Sequence, residues 1–131
     1  MKKRVDKLIE EDFVKVIDFD IDSELYELST KLHRGYLIDK EIGKGEAAAI
    51  SLAVLNNGIL ASNNTKDVME AIMKFKIKRI KTGDILVKAY HCNIITESEG
   101  NDLWKRMISQ KRFLTEESFT KYLNKNPEPK F

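Results

Sequence analysis

Residues 43–67, GKGEAAAISLAVLNNGILASNNTKD, decide how this chain folds. The stretch predicts an alanine-rich helix that ends near Gly58, a short buried strand, and a polar turn leading into a second helix. Because the first helix is apolar on almost every side, we expect it to lie between other elements. Glu46 stands near the start of this unit and Asp67 at its end, so the placement of the two acids needs an explanation.

The composition fits one compact α/β domain. The chain has 131 residues, of which 42% are hydrophobic and 34% are charged, and a chain of this size can bury most of its surface. Its 23 basic and 21 acidic residues leave a net charge of +2, so no overall attraction to nucleic acid or membrane is expected. We assign residues 1–125 to the domain and residues 126–131 to a C-terminal tail, which is expected to be frayed.

Cysteine usage and hydropathy predict the setting. Cys92 is the only cysteine, so neither a disulfide framework nor a cysteine-based zinc site is expected, and Cys92 should be a small core residue. The apolar runs are far shorter than the ~20 residues of a membrane span, and the N-terminus lacks the apolar core of a secretory signal. The sequence therefore predicts a soluble, cytoplasmic protein without a membrane partner.

Helices and strands are predicted to alternate along the chain. A helix and the strand VKVIDF, residues 14–19, open it, and a helix capped by Asp22 or Ser23 follows. Two short strands, GILAS and KIKRI, lie between helices, and the last helix is expected to begin at a Thr115 cap. This order predicts a parallel sheet with helices on both faces.

The carboxyl ends of parallel strands are where a ligand site is expected. Asp67 follows the first of these strands, and Glu46 lies in the first turn of the preceding helix, so both acids can face one opening. Carboxylates at such an edge suit Mg²⁺ or Mn²⁺, which prefer oxygen ligands and can activate water. The alternative is that each acid only favours the start of its helix through the macrodipole. Spacing leaves both explanations open.

Four segments together resemble the later part of a PIN domain: GKGEAAAISLA, GILASNNTKDV, KIKRIKTGDILVKA and SQKRFLTEESFTKYL. The similarity runs from about Phe13 to Leu123 and is greatest to the VapC-like branch of predicted nucleic-acid-binding proteins. The resemblance implies a metal-dependent ribonuclease that uses Mg or Mn, often the toxin of a toxin–antitoxin pair. It also implies that Glu46 and Asp67 belong to the catalytic, metal-binding acids and that Asn64 is the asparagine common in that turn.

The chain departs from this family at its beginning and in the SNN turn. PIN domains begin with a strand that carries an aspartate, and the resemblance implies that this strand is missing, which leaves backbone edges unpaired. We therefore expect a homo-oligomer, most simply a symmetric dimer, or an antitoxin-like partner that covers the edge. The chain is then a partial or degenerate PIN-like domain, or a non-catalytic RNA- or protein-binding module. Asp84 could be a further metal ligand or a helix cap.

A basic run, KFKIKRIK at residues 74–81, contains no acid. It predicts either an edge strand that its lysines protect from pairing or a track of phosphate contacts for RNA, and the two are compatible. The candidate nucleic-acid-binding residues are Lys76, Lys78, Arg79 and Lys81 of this run, together with Asn64. We expect Lys76, Lys78 and Arg79 to be largely exposed. Further cations could extend the track: Lys105, Arg106, Lys111 and Arg112. Three large side chains are expected to pack the C-terminal helices: Trp104, Met107 and Phe113.

Overall fold

The computed structural model describes residues 1–131 and contains seven helices and one two-stranded parallel sheet. The mixed α/β class is therefore confirmed, with far more helix than strand. In chain order the elements are α1 (Lys2–Glu10), α2 (Glu24–His33), α3 (Lys44–Leu55), β1 (Ile59–Ala61), α4 (Thr65–Phe75), β2 (Lys78–Ile80), α5 (Thr82–His91), α6 (Glu97–Ser109) and α7 (Phe119–Lys125). None of the helices combines the length and the apolar character that a membrane span requires.

The sheet pairs β1 with β2 in parallel, with Leu60 opposite Arg79. The backbone N–H of Ser62 extends the ladder by donating to the Ile80 carbonyl at 3.0 Å. Because the strands are parallel, both carboxyl ends lie at the same edge of the sheet. Each strand has only one neighbour, so the outer edges of β1 and β2 carry no strand partner.

The predicted strand VKVIDF is wrong. Residues 15–20 have no regular secondary structure and no strand pairing. The alternating pattern is present, but a strand needs the backbone of a neighbour, and this chain folds without placing one there. The helix before it does form, as α1, but none of its residues is buried.

The first core joins α2, α3, β1 and α4 through nine buried residues: Leu32, Ile38, Ile42, Ala47, Ile50, Ala53, Leu60, Val68 and Ala71. Helix α3 packs against α2, α4 and β1. These three neighbours explain why α3 is apolar on almost every side, so its predicted position between other elements is confirmed.

The loop between α2 and α3, residues 34–43, is held against the first core. Gly35 begins it with φ +71°, a left-handed conformation that favours glycine. Ile38 and Ile42 are buried, and Nδ1 of His33 lies 2.6 Å from the Ile42 carbonyl oxygen. These contacts fix the path of the loop and, with it, the position of Lys40.

The second core joins α5, α6 and α7 through Leu86, Val87, Trp104, Phe119 and Tyr122. Trp104 is 1% exposed, and its indole N–H donates to the Glu116 carbonyl at 2.9 Å, so its predicted packing role is confirmed.

Two neighbouring packing predictions are wrong. Phe113 is 72% exposed because α6 ends at Ser109 and Phe113 falls in the loop before α7. Cys92 is exposed because it is the first residue after α5 and lies outside the packed face of that helix.

The start of the last helix also differs from the prediction. Ser118, not Thr115, is the N-cap of α7, and its hydroxyl accepts from the Lys121 backbone N–H at 3.1 Å. A side-chain oxygen in this position satisfies an N–H that the helix itself leaves unpaired. Thr115 remains in the loop, where it is exposed.

The C-terminal tail, residues 126–131, lies against α5. Nζ of Lys130 is 3.2 Å from Asp84 Oδ1, and Nζ of Lys88 lies 5.9 Å from the centre of the Phe131 ring. The boundary after residue 125 coincides with the end of α7, and the fraying of the tail stays a prediction.

Two aromatic rings lie directly on helix backbones in the second core. A Cβ atom added at Gly100 would meet the Phe119 ring at 2.2 Å, and one added at Gly83 would meet the Tyr122 ring at 2.4 Å. These distances are far below van der Waals contact. The close approach of α7 to α5 and α6 therefore requires glycine, which has no Cβ atom, at positions 83 and 100.

We expect Gly100→Ala to destabilise the protein by about 1–3 kcal/mol, because Phe119 would have to move in a filled core. Gly45→Ala is the matched control, since an added Cβ there meets nothing within 4 Å and alanine favours the helix by up to about 1 kcal/mol. Urea unfolding followed by the fluorescence of Trp104, the only tryptophan, measures both changes. Equal stability of the two variants would contradict the tight contact.

Candidate functional site

Glu46 and Asp67 meet at the side chain of Asn64. The Asn64 amide Nδ2 donates to Glu46 Oε1 and to Asp67 Oδ2, each at 2.6 Å. The structure therefore brings the two predicted acids and the predicted asparagine to one place, beyond the carboxyl end of β1.

Helix starts position these three residues. Glu46 lies in the first turn of α3 and Asp67 in the first turn of α4. Asn64 is the N-cap of α4, and its Oδ1 accepts from the Asp67 backbone N–H at 3.3 Å. The helix-start explanation for the two acids thus applies at the same time as their convergence.

Lys40 completes the network, although no local sequence pattern indicates it. Its Nζ lies 2.8 Å from Asp67 Oδ1 and also donates to the Lys66 carbonyl at 2.6 Å. Hydrogen bonds from Lys40 and then from Asn64 hold the pKa of the Asp67 carboxyl below its usual value. Only the packing of residues 34–43 against the first core brings this lysine to the acids. We call Lys40, Glu46, Asn64 and Asp67 the acid–amide network.

The acid–amide network does not fit a resident Mg²⁺ or Mn²⁺. Mg²⁺ keeps several waters and needs one or two carboxylates that are free to face it, but here the Asn64 amide donates to both acids and the Lys40 ammonium is paired with Asp67. No group of three or more His, Cys, Asp or Glu residues that could hold a metal forms anywhere in the chain. Lys40 and Asn64 already supply the positive and donor character that a metal would bring.

Asp84, the other predicted metal ligand, lies in the second core and is 2% exposed. Its Oδ1 accepts from the Tyr122 hydroxyl at 2.7 Å and is paired with Lys130, while its Oδ2 accepts from the Lys81 backbone N–H at 2.8 Å. Asp84 is at the third position of α5, and its carboxylate caps the backbone N–H of the N-cap residue Lys81. The structure therefore keeps it apart from Glu46 and Asp67 and favours its capping alternative.

The cations of the basic run differ in their exposure to solvent. Lys76 and Lys78 are exposed and Lys81 is half-buried. The expected exposure of Arg79 is wrong: it is half-buried, its Nε donates to the Ser62 carbonyl at 2.9 Å, and its guanidinium also donates to Thr65 Oγ1 at 2.8 Å. Arg79 thus ties β2 to the turn before α4, and the run does not form one continuous exposed track.

A cavity of about 690 Å³ opens beside the acid–amide network. We call it the groove, and its lining residues are Asn63, Asn64, Thr65, Lys66, Arg112, Phe113 and Thr115. Lys66 and Arg112 are exposed, and the ring of Phe113 is open to solvent. The groove therefore combines two cations and one accessible aromatic ring.

Asn63 fixes the shape of the groove. Its Oδ1 accepts from the Thr82 backbone N–H and its Nδ2 donates to Thr82 Oγ1, both at 2.9 Å, and Nδ2 also approaches the Phe113 carbonyl at 3.4 Å. The residue therefore links the turn after β1 to the start of α5 and to the loop that carries Phe113. No local pattern indicates this role of Asn63, because its contacts are far apart in sequence.

No protein-family model, curated protein or solved structure matches this chain. The resemblance to PIN domains therefore stays a prediction, and the geometry of the acid–amide network and the groove is the basis for the proposals below.

We expect Lys40→Gln combined with Asn64→Asp to create a Mn²⁺ site, because the change replaces the ammonium and the bridging amide with a third carboxylate. The melting temperature of the double variant should rise with Mn²⁺ concentration, as binding to the folded state requires. The unaltered protein and Lys40→Gln alone, which keep two carboxylates, should show no such rise. A Mn²⁺-dependent rise in the unaltered protein would contradict the proposed neutralisation by Lys40.

We expect Asp84→Asn to destabilise the protein at neutral pH by about 1–3 kcal/mol, since it weakens hydrogen bonds to a buried charge. Burial alone would raise the pKa of the Asp84 carboxyl, but the hydrogen bonds from Lys81, Tyr122 and Lys130 outweigh it and lower the pKa. A lowered pKa stabilises the folded state above the unfolded value of about 3.9, and this contribution is lost as pH falls through the folded-state pKa.

The stability difference between the two proteins should therefore shrink below about pH 4. Urea unfolding at neutral and acidic pH measures it. A difference that is the same at both pH values would contradict an ionised, hydrogen-bonded Asp84.

Proposed function

We propose that this protein is a degenerate PIN-like domain that binds single-stranded RNA in the groove and does not cleave it with its own residues. The observation that carries the proposal is the combination of Lys66, Arg112 and the exposed Phe113 around one cavity.

The lining of the groove suits a single RNA strand. Cationic side chains supply affinity for phosphates that does not depend on sequence, and Lys66 and Arg112 lie on the wall of the groove. An accessible aromatic ring can stack on a base, which contributes about 1–3 kcal/mol per base. Phe113 is the lining residue with such a ring, and a 72% exposed phenylalanine otherwise has no packing role.

The acid–amide network favours this function because it keeps two acids from repelling a phosphate nearby. Lys40 pairs with Asp67, and Asn64 donates to both carboxylates. The carboxylates are thus compensated inside the protein, and the cations of the groove remain available to a ligand.

The resemblance to PIN domains supports the same class of ligand. The similarity implies a nucleic-acid-binding chain. A cytoplasmic location belongs to the same proposal, since the single cysteine is an exposed free thiol, which suits a reducing compartment.

The second candidate is a Mg- or Mn-dependent ribonuclease of the toxin–antitoxin type. The convergence of Glu46 and Asp67 on one nitrogen atom favours it, because acids of metal-dependent nucleases gather in this way. Such an enzyme would need further carboxylates from another chain, such as an antitoxin-like partner, and the removal of Lys40 from Asp67.

Anisotropy of a fluorescent oligouridine RNA tests the proposal. We expect Lys66→Glu with Arg112→Glu to weaken binding strongly and to lower the slope of log affinity against log salt by roughly 1.4, at about 0.7 per lost single-strand contact. Phe113→Ala should weaken binding by about 1–3 kcal/mol with the salt slope unchanged.

The matched control is Lys105→Glu with Arg106→Glu, which makes the same charge change at exposed positions on α6 that do not line the groove. Equal loss in this control would show binding by net charge alone and would overturn the groove. Shortening of the RNA on addition of Mn²⁺ would replace the binding function with the ribonuclease.

A further inference from the structure

The N-terminal segment carries a strand pattern that the folded chain leaves unused. Residues 17–22, IDFDID, alternate strictly between apolar and acidic side chains, so a strand would place three acids on one face and three apolar side chains on the other. Ile17 and Ile21 are 51% and 76% exposed. None of Asp18, Asp20 and Asp22 forms a salt bridge; the salt bridges of the chain involve other acids. We call residues 17–22 the acidic segment.

Strand β2 has the complementary character. Its outer edge has no strand partner, and the sequence KFKIK, residues 74–78, alternates between basic and apolar side chains. Lys76 and Lys78 are exposed and belong to none of the salt bridges. Residues 74–81 hold five basic residues and no acid, whereas residues 10–24 hold seven acids and one lysine. We call Lys76–Ile80 the basic edge.

We propose that the acidic segment of one copy of this chain pairs as a third strand with the basic edge of a second copy. Addition of a strand satisfies the unpaired backbone groups of an exposed edge. Opposite charges on facing strands add a favourable cross-strand contribution. Reciprocal exchange of the two segments gives a closed, twofold dimer.

The fold favours a second copy over the same chain as the source of the segment. Helix α2 packs mainly on α3, α3 packs on β1, and β1 pairs with β2, so the main packing of α2 is with α3 and not with the basic edge. The acidic segment ends at Asp22, directly before the Ser23 cap of α2, and one or two residues span less than about 8 Å. In the folded chain the acidic segment pairs with no strand, so a second copy is the proposed source of its partner.

The proposal does not rest on RNA binding. The groove lies at the carboxyl ends of the strands, and Lys76 lies at the opposite end, after the last turn of α4. A dimer through the basic edge therefore leaves the groove open.

Light scattering after gel filtration of the full chain at micromolar concentration tests the proposal. The expected mass of the unaltered protein is twice that of the 15.1 kDa chain. Asp18→Lys with Asp20→Lys, or Lys76→Glu with Lys78→Glu, should each weaken the dimer roughly tenfold or more, because facing strands would then carry like charges. The exposed positions of these residues allow a check by circular dichroism that the fold is kept.

Mixing the two variants provides the decisive measurement. In the mixed dimer the reversed segment of one variant faces the reversed edge of the other, and the unaltered segment faces the unaltered edge. Opposite charges then meet at both contacts, so a mixed dimer should form although neither variant dimerises alone. The control, Lys105→Glu with Arg106→Glu, should remain dimeric.

Three results would overturn the proposal. One is an unaltered protein of monomer mass, which would show that no second copy binds. Another is a dimer that persists in each of the two charge-reversed variants taken separately, which would place the interface elsewhere. The third is an unaltered protein that is monomeric and that loses its RNA binding when Lys76→Glu and Lys78→Glu are introduced. The basic edge would then be a nucleic-acid surface.

Discussion

The parallel pairing of β1 with β2 is the constraint on which the rest of the structure depends. Each strand has only three residues, yet their shared direction places the turn after β1 beside the start of α5. Asn63 converts that proximity into hydrogen bonds with Thr82. The two cores are thereby joined at the edge where the groove opens, so a very small sheet determines the position of the whole candidate site.

The acid–amide network shows how a chain can keep clustered carboxylates without a metal ion. An isolated pair of acids at this position would repel each other and any phosphate. Here a lysine from a distant loop and an asparagine cap lie between and beside them. The negative charge of the two acids is therefore compensated by side chains that packing holds in place. Such fixed partners suit a binding surface better than a reaction centre, which must exchange its ligands.

Local sequence patterns predicted those parts of the fold that depend on neighbours in the chain. The α3 helix, its burial and the polar turn before α4 follow from periodicity, and strand direction indicates that Glu46 and Asp67 can face one opening. Lys40 did not follow from either, because its position depends on how Ile38 and Ile42 pack. The strand prediction for VKVIDF is wrong for a related reason. Alternation shows that a segment is compatible with a strand, whereas pairing depends on the backbone of a segment that is distant in sequence.

The contact of the Phe119 ring with the backbone at Gly100 also restricts how this protein can diverge. A larger residue at position 100 is compatible with the same helix spacing only if position 119 becomes smaller, and the same reciprocity holds for Gly83 and Tyr122. Homologous sequences should therefore change each pair together. Such linked substitutions would identify distant members of this fold even where the acids and the cations of the surface have been replaced.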